Sequence, residues 1–203
     1  MDFQKLKDKY AVHHINLEYF PTIVEAKARV QALILDGQVV GIGGSTTLNE
    51  WGIVDELRNR QIHFLDRFVP GITPAQLSEV FHQSFNADVY LSSVNAMTEE
   101  GELVCIDKNG NRIGALLYGP KKVILVVGKN KLVKNLDEAF NRLRTVAAPA
   151  NARRYNLTTP CVTTGVCMDC DHPQRLCNME IIIKGQADPS RMTLLFVNED
   201  GGF

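Results

Sequence analysis

Residues 39–53, VVGIGGSTTLNEWGI, join an apolar run to an amphipathic one through three glycines and three hydroxyl side chains. Val39–Ile42 has the apolar continuity of a buried strand, and Leu48, Trp51, Val54 and Leu57 then recur at helical spacing. A strand that turns straight into a helix is the opening of a βαβ unit, the repeat from which parallel α/β sheets are built. Gly41, Gly43 and Gly44 permit close approaches that a Cβ forbids. Ser45, Thr46 and Thr47 can cap the helix, and Thr47 with Glu50 fits the capping-box spacing. Free amides and hydroxyls at such a turn suit a phosphate or carboxylate, while capping alone explains the same residue types. Neither the Walker spacing nor the dinucleotide fingerprint is present, so the turn assigns no nucleotide. Its place beyond a strand's carboxyl end favours a ligand.

Outward from this turn the same rhythm continues. Ile62–Leu65 reads as a strand, Thr73–Pro74 opens a helix running to Phe85, and DVYLSSVNAM at 88–97 begins as a strand. KVILVVG at 122–128 has no alternation, which predicts a strand covered on both faces. A helix carrying Leu136, Phe140, Leu143 and Val146 follows, and Met179–Lys184 and Met192–Val197 read as closing strands. Toward the N-terminus, Phe3, Leu6, Tyr10, His14 and Leu17 fall at helical spacing, as do Ile23, Ala26, Val30, Leu33 and Ile34 after Pro21. This predicts two leading helices over 1–36. Asn109-Gly110 predicts a hairpin turn between strands at 102–106 and 112–117, because a type I′ turn needs positive φ at both central residues. The 203 residues form one expected α/β domain.

Composition excludes several function classes. With 22 basic and 23 acidic residues, the chain lacks the cationic surplus that nucleic-acid binding requires. The first twenty residues are charged throughout, and no uncharged run approaches a membrane span, so no membrane insertion and a cytoplasmic location are expected.

Two further segments carry candidate chemistry. The loop 95–101 also follows a strand's carboxyl end; Glu99 and Glu100 offer a general base or nucleophile, and Asn95 or Thr98 an orienting hydrogen bond. A solvated acidic loop explains the same residues. The segment 151–178 is poor in apolar residues and too long for an ordinary connection. Cys161, Cys167, Cys170 and Cys177 crowd into 17 residues of it, enough thiolates for a tetrahedral zinc or an iron–sulfur cluster. A thiol–disulfide pair and plainly buried cysteines are the alternatives. The metal reading explains how a segment without a hydrophobic core becomes ordered.

Together, GIGGSTTLNEWGI (41–53), SVNAMTEEGELVCIDKNGNRIGALLYGPKKVILVVGKNKLV (93–133), AAPANARRYN (147–156) and TPCVTTGVCMDCDHPQRLCN (159–178) resemble the LUD domain, the lactate-utilisation family. The resemblance implies a three-layer α/β/α fold with a mostly parallel sheet, similar to the phosphosugar isomerase and CoA-transferase superfamily, plus a cysteine-rich C-terminal loop. It also implies participation in lactate or 2-hydroxy-acid oxidation to pyruvate, beside iron–sulfur oxidoreductase subunits. The chain has no flavin motif and no tandem ferredoxin cysteine segment, so an accessory or electron-transfer subunit is expected rather than a complete enzyme. In related isomerases the corresponding turn holds a phosphate, which implies a site for a small carboxylate or phosphate at Gly43, Gly44, Ser45, Thr46 and Thr47. In CoA transferases a glutamate near the sheet's carboxyl edge is the nucleophile, a place for which Glu99 and Glu100 are the candidates. An isomerase or acyl-transfer enzyme, and an assembly subunit with structural zinc, are the alternative readings.

Overall fold

The computed structural model describes residues 2–203, and the chain opens with helix α1 (Phe3–Val12), strand β1 (Ile15–Phe20) and helix α2 (Ile23–Leu33). A strand therefore stands where the helical spacing predicted that the first helix would continue. His14, at φ 58, turns the chain out of α1, and Ile15 and Leu17 then alternate into the core. The chain continues through β2 (Val39–Ile42), α3 (Thr46–Glu50), α4 (Ile53–Arg58), β3 (His63–Leu65), α5 (Pro74–Ser84) and β4 (Val89–Ser92). Gly52, at φ 69, breaks the expected single helix into α3 and α4. Next come β5 (Ala96–Thr98), β6 (Leu103–Asp107), α6 (Asn111–Leu117), β7 (Lys122–Gly128) and β8 (Leu132–Val133). The last third holds α7 (Leu136–Arg142), a π-helical turn at Leu143–Ala147, α8 (Ala148–Arg154), α9 (Pro160–Thr164), β9 (Met179–Ile183) and β10 (Met192–Val197).

Six strands form one sheet in the order β1-β10-β7-β4-β2-β3, with every neighbouring pair parallel. Along β7, Val123, Leu125 and Val127 join the core cluster that contains α1 and α6, while Ile124 and Val126 join the one that contains α2, α3 and α4. Both faces of the strand are thus covered, which is why its sequence shows no alternation. Burying each of these side chains contributes about 1.5–3 kcal/mol of transfer free energy, more than a polar residue on either face would leave in place. The result is a three-layer α/β/α arrangement. Among the described residues no helix is long and apolar enough to cross a membrane.

A second sheet, β8-β5-β6-β9, lies beyond the ends of the first. Met97, Leu103, Cys105 and Ile183 knit it into the α1/α6 cluster, and Ala139 and Leu143 pack against its Ala96 and Val104. The predicted strand at 112–117 is instead α6. Gly110 takes the positive φ that the Asn-Gly signal requires, at 79°, but the Asp107 carboxylate then accepts from the amides of Arg112 and Ile113 and starts a helix. Ile113 and Leu116 bury in the core from that helix.

Because the main sheet is parallel, its strands all end on one edge. The segments leaving β2, β3, β4, β7 and β10 there carry, respectively, Gly43–Thr46, Arg67, Ser93–Asn95, Lys131 and Phe203.

Candidate anion site

A cavity of about 310 Å³ occupies this edge, between the carboxyl ends of the main sheet and the β6–α6 connection. Its basic lining residues are Arg67, Lys108, Arg112, Lys131 and Arg154, and Asp107 is the one acid among its lining residues. Asp107 is itself engaged, accepting backbone amides from Lys108, Arg112 and Ile113. The lining also has apolar members, Leu77, Phe81, Tyr155, Leu157 and Phe203. An apolar body with a few convergent charged groups is the usual composition of a small-molecule site.

The cations are held by neutral oxygens. The Arg112 guanidinium, 8% exposed, donates to the Ser93 carbonyl at 3.2 Å, the Asn95 Oδ1 at 2.9 Å and the Ile106 carbonyl at 2.6 Å. Lys131, 2% exposed, donates from Nζ to the Thr47 Oγ1 at 2.8 Å, the Ser93 Oγ at 3.1 Å and the Val94 carbonyl at 3.1 Å. Behind them Arg142 donates to the carbonyls of Asn130 and Asn95. A buried charge without a counter-charge is costly, since desolvation is not repaid by dipoles alone. Burial, reinforced by the neighbouring Arg142 and Arg112, pushes the Lys131 ammonium down to about 7. Burial likewise lowers Arg67 and Arg142 from their ordinary values. Arg67 lies over the Phe81 ring at 4.6 Å, and Arg154 over the Tyr155 ring at 4.4 Å. The Asp107 carboxylate, taken up by backbone amides, makes an ion pair with neither of these cations.

Of the residues singled out from the sequence, Gly44, Ser45, Thr46 and Asn95 line the cavity. Gly43 and Thr47 stand behind them. A Cβ on Gly43 would come within 2.6 Å of the Ser92 Oγ and 3.2 Å of the Arg112 Cγ, so the bare backbone lets Arg112 pass. Thr47 accepts from Lys131 and donates to the Gly201 carbonyl at 3.1 Å, while Ser45, not Thr47, caps α3 by accepting from the Leu48 amide. Asn95 orients Arg112 and accepts from the Ile106 amide at 3.0 Å. Glu99 and Glu100 are exposed in the turn between β5 and β6, outside the cavity lining. That turn packs toward α1, where Tyr10 donates to the carbonyls of Thr98 and Glu102.

The four clustered cysteines line a second, much smaller cavity of about 20 Å³. All four are free thiols, and among the described residues no group of three or more His, Cys, Asp or Glu side chains is arranged to hold a metal ion.

The sequence matches the LUD domain over residues 3–197, nearly its whole length. The chain belongs to the LUD domain family. That family is associated with lactate utilisation. The crystal structure of a DUF162 family protein from Deinococcus radiodurans is similar to this LUD domain with a TM-score of 0.53 and 15% identity, covering 96% of this chain and 95% of that one. At that identity the likeness concerns the fold. No curated protein is similar to the chain in sequence.

Sequence reasoning missed the cations of this LUD domain. Arg67, Arg112 and Lys131 follow or flank unremarkable loops, and loop cations are ordinarily solvated. The one signal was positional: Arg67 and Lys131 each come shortly after a strand of the parallel sheet, on the edge where ligands bind.

Proposed function

We propose that this LUD domain binds a small organic anion, a 2-hydroxy or 2-oxo carboxylate or its phosphorylated relative, at the carboxyl edge of its parallel sheet. In this reading it serves lactate and related 2-hydroxy-acid utilisation as an accessory subunit, holding the acid while partner iron–sulfur oxidoreductase subunits move the electrons. The observation that carries the reading is the charge of the cavity. Arg67, Lys108, Arg112, Lys131 and Arg154 line it against Asp107 alone, and the buried members bond only to neutral oxygens. An anion would supply the missing counter-charge, and planar guanidinium groups suit carboxylate and phosphate geometry. Glu99 and Glu100 have no part in this reading, since they stand in an exposed turn outside the cavity.

Calorimetric titration with lactate, pyruvate and a sugar phosphate tests it. One anion per chain is expected. Arg67→Gln should weaken it by about 10- to 140-fold, corresponding to a charge-assisted hydrogen bond of about 1.5–3 kcal/mol. Replacing Glu99 and Glu100 together with glutamine should leave affinity unchanged. Binding that survives undiminished in both Arg67→Gln and Arg154→Ala would place the anion elsewhere and sink the reading.

A further inference from the structure

The anion site leaves the thiol cluster without a role. Its segment cannot be ordered by a core of its own: residues 165–178 have no regular secondary structure, and Val166 and Met168 are 44% and 61% exposed. Yet Cys161 from α9, Cys167 and Cys170 from one tight turn, and Cys177 just before β9 line the same small cavity. Asp169, at φ 47, folds the chain back between Cys167 and Cys170, and its amide donates to the Cys167 Sγ at 3.4 Å. An amide donor on sulfur stabilises the thiolate form. Thr159 Oγ1 lies 3.4 Å from the Cys161 Sγ. Arg175 clamps the segment by donating to the Cys170 and Cys177 carbonyls, both at 3.0 Å, and its Nε is buried without any partner. The guanidinium also pairs with the Asp169 carboxylate at 3.4 Å, so what remains unmet is the single Nε donor, to which a metal-bound thiolate would be an acceptor.

The space between the four thiols is small. About 20 Å³ accommodates one ion, since a single water already needs about 10–15 Å³. We propose that Cys161, Cys167, Cys170 and Cys177 bind a single thiophilic divalent cation of the zinc class, and that this ion braces the wall of the anion cavity. On binding, each thiol gives up its proton to solvent and its sulfur draws in to about 2.3 Å from the metal. Four thiolates around a divalent ion leave a net charge of minus two, which Arg175, shared with the Asp169 carboxylate, offsets only in part. No electron is transferred. The bracing comes from shared structure: Leu176 lines both cavities, and α8 gives Ala148 and Ala152 to the thiol side but Asn151 and Arg154 to the anion side. This second half rests on the anion reading; the metal site itself does not.

The test is elemental analysis of the full chain purified with reductant and without oxygen, then pyruvate titration before and after chelation. One zinc-class ion per chain without acid-labile sulfide is expected, lost in Cys170→Ser and in Cys177→Ser and kept in Cys105→Ala. Replacement by cobalt should give the thiolate charge-transfer and visible bands of a tetrahedral site in the unaltered chain, independent of how the variants fold. Absence of stoichiometric metal, a disulfide among the four, or iron with an equal amount of sulfide would overturn the assignment. Chelation should weaken pyruvate at least fivefold, and unchanged affinity would refute the bracing. A metal-loaded chain that binds neither pyruvate nor inorganic phosphate would refute the anion reading and leave the metal site standing.

Discussion

Anion binding in the cavity should draw a proton onto Lys131. Its Nζ donates to Thr47, Ser93 and Val94 oxygens, and burial with the nearby Arg142 and Arg112 pushes it down to about 7. At pH 8 a group of that pKa is about one-tenth charged. An anion about 4 Å from the amine, at an effective dielectric of about 20, contributes about 4 kcal/mol, equivalent to about three pKa units. The bound state is therefore fully protonated at pH 8, and about 0.9 proton is taken up per anion there, about 0.5 at pH 7 and about 0.1 at pH 6. Affinity should fall by up to tenfold per pH unit above 7. Calorimetric titration with pyruvate in buffers of different ionisation enthalpy reads the proton number directly. Lys131→Met should abolish the uptake. Intact binding with less than about 0.2 proton taken up at pH 8 would show that the anion does not sit against Lys131. The sign for stability is fixed by the same shift. The folded value lies below the unfolded 10.5, so between about 7 and 10.5 the unfolded chain holds more protons, and the ligand-free protein gains stability as pH rises through that window. Saturating anion should erase that gain.

Two substitutions probe the frame around the cavity. Gly43→Ala introduces a Cβ 2.6 Å from the Ser92 Oγ and 3.2 Å from the Arg112 Cγ; it should cost about 1–3 kcal/mol in urea unfolding, and an unchanged midpoint would mean that the β2 turn has slack. Tyr10→Phe removes the hydroxyl that donates to the Thr98 and Glu102 carbonyls at 3.0 and 3.1 Å. It should cost about 1 kcal/mol and speed amide exchange in the β5–β6 turn; exchange that stays as slow as in the parent would show that packing, not this hydroxyl, holds the turn.

Local patterns were legible in the sequence. The βαβ rhythm around 39–53 and the unalternating run at 122–128 depend on neighbours in the chain, and both appear as expected in β2, α3 and β7. The cysteine cluster was visible for the same reason, its members lying within 17 residues. Local signals also misled. Phe3 to Leu17 fit a helix, but Ile15 and Leu17 equally fit an alternating strand, and only β10, far along the chain, decides between them by pairing with β1. Asn109-Gly110 specified a positive φ but not the type of the next element, and Asp107 capped a helix there.

The cavity was illegible for a stronger reason. Arg67 and Lys131 are unremarkable in the sequence until the parallel order of the sheet brings the ends of β3 and β7 to one edge, where Arg112 from α6 and Arg154 from α8 join them. Burial then changes what they are: a solvated lysine is structurally silent, whereas Lys131 at 2% exposure, bonded to three neutral oxygens, is an electrostatic demand. The glycine turn shows the same logic. Gly43 matters less for any group its amide could hold than for the Cβ it lacks, which leaves the space through which Arg112 passes. In the proposed site the preference for an anion would therefore come from side chains gathered from β3, β7, α6 and α8 rather than from the glycine-hydroxyl turn itself. Replacing the turn hydroxyls, as in Thr46→Ala, should weaken an anion less than replacing Arg67, because a neutral hydrogen bond contributes about half as much as a charge-assisted one. The reverse ranking in the same titration would return the site to the turn.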